Sequence, residues 1–84
     1  MIELRRKAAV TVTPGTGELA AAVIIRRGEL GLTQDALAAK AGVSVRTIRS
    51  LEAGRTWPQA RSLAAIARVL GLDVSVSEPA KAAS

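Results

Sequence analysis

The stretch Thr33 to Gly54, TQDALAAKAGVSVRTIRSLEAG, leaves few folds open to this chain. It holds two helix starts and two helix stops in close succession. Thr33 can cap a helix, its hydroxyl accepting one of the first unpaired backbone N–H groups. Ala36, Leu37 and Ala41 then recur at helical spacing and make one apolar stripe. Gly42 stands where a helix ends on a left-handed residue. Ser44 offers a second cap almost at once. Ile48 and Leu51, three apart, point inward from the second helix, and Gly54 can end it. That leaves Val45, Arg46, Arg49 and Ser50 on the outer face, with Thr47 at its edge.

Two short helices joined by a glycine turn of this length describe a helix-turn-helix. The segment resembles the lambda repressor/Cro type, the bacterial and phage group called the XRE family. The residues that carry the resemblance are Gly31-Leu32-Thr33-Gln34, Leu37-Ala38, Ala41-Gly42-Val43-Ser44, Thr47-Ile48, Leu51-Glu52, Gly54 and Pro58. It extends from about Leu19 to Leu72. It implies an all-α domain of four helices that binds double-stranded DNA.

The flanking residues fill in the other elements. Glu18 to about Glu29 reads as the first helix, with Leu19, Val23 and Arg27 on one face and Thr16 able to cap it. Ile24, Ile25 and Leu30 add more apolar surface than one buried stripe needs, which points to a dimer contact or to cover from a terminal segment. Ala60 to Leu70 reads as the fourth helix, with Leu63, Ile66, Ala67 and Leu70 inward and Gly71 at its end. Before it, Trp57 can wedge over the core, donate to a backbone phosphate, or join a dimer interface. Leu72 to Ser77 alternates with period two, a strand signal. A similar alternation at Val10 and Val12 makes Ile2–Thr13 either an edge strand or a basic arm, in which Arg5, Arg6 and Lys7 would follow DNA phosphates. The expected organisation is an N-terminal arm or strand over 1–15, the helix-turn-helix domain over 16–72, and a short strand with a mobile tail over 73–84.

Composition narrows the function. Twelve Lys+Arg stand against seven Asp+Glu, a formal charge of +5 on 84 residues, and nine of the twelve cations are Arg. A small basic chain suits a polyanion, nucleic acid before membrane. The chain has no His and no Cys, which removes the commonest general base and the thiolate metal sites. No enzyme activity, cofactor or metal is expected. No apolar run approaches a membrane span, and the N-terminus lacks the apolar core of a secretory signal, so a cytoplasmic protein is expected.

The second helix of the motif should lie in the major groove with its N-terminal end toward the bases. Arg46 and Arg49 can each make two hydrogen bonds to guanine O6 and N7, Val45 can meet a thymine methyl, and Ser50 lies on the same face. Phosphate contacts are expected from Thr33, Gln34, Ser44, Thr47 and Arg55, and from backbone N–H groups at the two helix starts, where the dipole favours an anion. Arg27 and Glu52 fall on facing inner surfaces and are expected to pair, as the resemblance also implies. The ending LGLDVSV resembles the subgroup that includes HipB-type antitoxins, which implies a C-terminal strand pairing with its counterpart across a dimer axis. Val74, Val76 and Trp57 are the expected interface. The expected function is sequence-specific binding of an inverted-repeat operator as a homodimeric repressor. The alternative is an antitoxin that binds a toxin and represses its own operon.

Overall fold

A computed structural model describes residues 8–76. Both the arginine arm expected at Arg5–Lys7 and the tail after Val76 lie outside the described residues. The elements run β1 (Ala8–Val12), α1 (Glu18–Glu29), α2 (Gln34–Ala41), α3 (Val45–Glu52), α4 (Ala60–Leu70) and β2 (Leu72–Val76). Over the described residues the fold is mostly helical, with four helices and one short sheet.

Local chemistry sets the helix ends. Thr33 Oγ1 accepts the Ala36 N–H at 2.9 Å, and Ser44 Oγ accepts the Thr47 N–H at 3.1 Å. Between them Gly42 sits at φ 73°, a left-handed conformation that favours glycine. It turns the chain while the Val43 N–H still reaches the Ala38 carbonyl at 3.0 Å. The start of α1 is built differently from the simple Thr16 cap. Gly17 occupies the cap position, Thr16 Oγ1 accepts the Glu18 N–H at 3.3 Å, and the Glu18 carboxylate reaches back to accept the Thr13 N–H at 2.6 Å. This clasp ties the end of β1 to the first helix.

One core unites all six elements. Leu19 and Val23 enter it from α1, Leu37 and Ala38 from α2, Ile48 and Leu51 from α3, and Ile66, Ala67 and Leu70 from α4. Val12 and Leu72 close it from the strands, and Val12 is fully buried. Cover from a terminal segment therefore falls over the core, while Ile24 and Ile25 stay 42% and 60% exposed.

The C-terminal strand differs from expectation in one respect. It is not a lone strand awaiting a second subunit. β2 pairs in parallel with β1 of its own chain, Ala8 opposite Leu72 and Val12 opposite Val76. Parallel neighbours need a long crossover, and here the four helices supply it. Trp57 does not cover the core either: it is 41% exposed, and the adjacent Pro58 is the buried residue. At the other end of α4, Arg26 Nε donates to the Leu70 carbonyl at 2.8 Å. Its charge there favours the negative end of the helix dipole. Among the described residues no helix is long and apolar enough to cross a membrane.

Candidate nucleic-acid interface

The helical period sorts α3 into two faces. Ile48 and Leu51 are buried, whereas Arg46 and Arg49 are exposed on the opposite side. Together with Ser50, Ala53 and Arg55 these arginines line one shallow concave surface. Among the described residues no acidic side chain lines it. Among the described residues the ion pairs are Arg26–Glu29 and Arg27–Glu52, so Arg46, Arg49 and Arg55 carry uncompensated charge toward one cleft. Three guanidiniums gathered this way can meet phosphate oxygens or the acceptor edge of guanine.

The other expected contacts divide. Val45 is half-buried and packs against the core, so it is not wholly on the outer face. It precedes Ile48 by three residues, the same interval that separates Ile48 from Leu51, and this interval draws it inward. Thr33, exposed, commits its oxygen to the α2 cap. Ser44 Oγ serves the α3 cap and lies 3.0 Å from Thr47 Oγ1, so these two hydroxyls are already bonded to each other. Gln34 is not a free surface amide: its Nε2 donates to Glu52 Oε1 at 3.0 Å.

That bond belongs to a network that fixes the far end of α3. Arg27 Nε donates to Glu52 Oε2 at 2.7 Å and Nη2 donates to Oε1 at 2.9 Å, a two-pronged pair. The remaining prong, Nη1, donates to the Leu32 carbonyl at 2.9 Å. Only 20% of the Arg27 side chain and 7% of the Glu52 side chain meet solvent. Burial alone would push the Glu52 carboxyl up, but hydrogen bonds from Arg27 and Gln34 and the charge of Arg27 hold it below its ordinary value. The hydrogen bond to Glu52 raises Arg27 more than burial lowers it. The network joins α1, the loop before α2, the first residue of α2 and the last residue of α3. It thereby sets the angle at which α3 presents its arginines.

The three residues expected at a dimer interface are not brought together. Trp57 borders a cleft of about 240 Å³ beside Gly15, Gly17 and Arg55, near the start of α1. Val74 lines a different cleft, between α4 and β2. Val76 is 42% exposed. Sequence reasoning missed two structural residues, Val12 in the core and Arg26 at the end of α4. The alternation of Val10 and Val12 was a signal for the first. The only hint of the second was its place, with Arg27, in the basic last turn of α1.

No curated protein matches the chain. A family model described as Helix-turn-helix matches residues 23–76, from the middle of α1 to the end of β2. The capped pair α2–α3, the buried inner stripe and the arginine face lie inside that match. The chain thus belongs to the Cro/C1-type helix-turn-helix family of DNA-binding transcription regulators.

Proposed function

We propose that the chain binds an inverted-repeat operator as a homodimer and represses transcription there. The observation that carries the reading is the arginine surface of Arg46, Arg49 and Arg55, none of which is ion-paired among the described residues. In this reading α3 lies in the major groove, with Arg46 and Arg49 reading guanines and Ser50 beside them. Half-exposed Val45 offers the outer part of its side chain to a thymine methyl. Arg55 and the Thr33 hydroxyl donate to phosphates, as does whichever of the Ser44 and Thr47 hydroxyls accepts their mutual bond and so keeps its own hydrogen free. Gln34, already bonded to Glu52, can donate its second amide hydrogen and so link a phosphate to the network behind α3. Selection from random duplex DNA followed by a salt titration on the winning sequence tests it. Expected are a palindromic winner and an affinity that falls linearly on a log–log salt plot, by about 0.9 in slope per phosphate neutralised. Enrichment of no sequence would overturn the reading.

A second reading, an antitoxin that also represses its own operon, draws support from apolar surface away from the arginine face. Ile24, Ile25 and Trp57 are 42%, 60% and 41% exposed. A toxin reading frame beside this one, whose product co-purifies with the chain and is lost on Ile25→Lys, is the expected result. Co-purification unaffected by that substitution would remove the surface from the argument.

A further inference from the structure

A groove of about 390 Å³ runs between α4 and β2. Leu63 and Ala67 line it from the helix, Leu72 and Val74 from the strand, and of these Leu63 and Val74 are only half-buried. One cation and one anion also line it, Arg68 and Asp73, both exposed. Neither belongs to an ion pair among the described residues. The edge of β2 away from β1 has no strand beside it among those residues.

We infer that the face formed by α4 and the free edge of β2, on which this groove lies, packs against the same face of a second copy, with Arg68 of each protomer facing Asp73 of the other. The inference rests on the homodimer reading above and assigns that dimer a surface. In a two-fold contact, residue i of one copy meets residue j of the other, and j meets i. A surface bordered by both an arginine and an aspartate can therefore be its own complement. Both charges are satisfied in one step, and the half-exposed Leu63 and Val74 of both copies are covered with them. A surface of one sign could not do this, because a second copy would double the repulsion. The contact includes Val74 and leaves Trp57, in its separate cleft, outside.

Sedimentation of charge-reversed chains tests the pairing. Arg68→Asp alone places two pairs of like charges across the axis, and Asp73→Arg alone does the same. Each is expected to raise the dimer dissociation constant about tenfold or more. Mixing the two variants is expected to restore a dimer near the parent affinity, because the mixed pair again sets opposite charges at both positions. The R68D/D73R double variant should also dimerise. Two misfolded chains would not rescue each other, so the mixture guards against that artefact. Single variants that dimerise like the parent would overturn the inference and place the interface elsewhere. So would singles that weaken but are not rescued by mixing, which is the behaviour of an ion pair within one chain. A parent chain that stays monomeric both free and on its selected operator would instead remove the homodimer reading itself.

Discussion

Replacing Arg27 by Met should destabilise the fold in a way that depends on pH, with a sign opposite to that of the parent. In the parent, Glu52 is held below its ordinary value of 4.5 by Arg27 and Gln34 against the effect of burial. A depressed carboxyl contributes stability that is present above that ordinary value. The contribution is lost as pH falls through the depressed one. In Arg27→Met the carboxylate keeps its burial, with 7% of the side chain exposed, and retains only the Gln34 bond at 3.0 Å. Desolvation then dominates, and the folded state prefers the neutral acid. Protonation is an escape route that limits the charge penalty. Starting from 4.5, it costs about 3.4 kcal/mol at pH 7 and about 1.4 kcal/mol at pH 5.5, at roughly 1.36 kcal/mol per pH unit. That ceiling agrees with the roughly 3 kcal/mol expected when one partner of a buried pair is removed. Urea melts of the parent and Arg27→Met at pH 7 and 5.5 measure it. The deficit of the variant should shrink on acidification, by at most about 2 kcal/mol, the difference between those two ceilings.

Glu52→Gln provides the contrast. It strands a guanidinium that cannot lose its proton, so its deficit should not change between those pH values. The double replacement should recover part of the summed loss, as coupled neighbours do. Small, additive, pH-independent losses from both single variants would refute the reasoning. They would also return Arg27 to the surface as a possible DNA contact.

Three further outcomes follow from the same geometry. Arg46→Ala should cost about 1–3 kcal/mol on the selected operator and relax preference at one base pair, measured by binding to a panel of single-base variants; uniform weakening on every sequence would make Arg46 a phosphate contact. The selected operator should be an inverted repeat with half-site centres about 10 base pairs, or a multiple of that, apart; a single asymmetric half bound by one chain would exclude two reading helices. Val12→Ala should lower stability by about 2 kcal/mol in thermal melts, because the side chain is fully buried; a change under about 0.5 kcal/mol would make β1 dispensable.

The parts of this molecule legible in its sequence are those set by neighbours along the chain. Thr33, Gly42 and Ser44 each act within four residues of themselves, so their roles can be read from spacing. The Arg27–Glu52 pair was legible for a different reason. Two opposite charges on inward faces have no cheap alternative to each other. Val45 shows where spacing stops being decisive. It follows the cap of α3 and also falls in step with Ile48, so it belongs to the outer face by one criterion and to the core by the other. Gln34 could be placed only once the end of α3 was placed, because its partner Glu52 lies beyond an intervening turn. The strands show the limit most clearly. Period two at Val10–Val12 and at Val74–Val76 identifies strand character, but it does not identify a partner. An unpaired edge can be satisfied by a second subunit or by a strand of the same chain, and local sequence is equally consistent with both. Here β1 lies beside β2 and at the same time buries Val12 in the core. That pairing closes the β1 side of β2 to a second subunit, which is why the dimer contact inferred above uses the opposite edge of β2 and the adjoining face of α4.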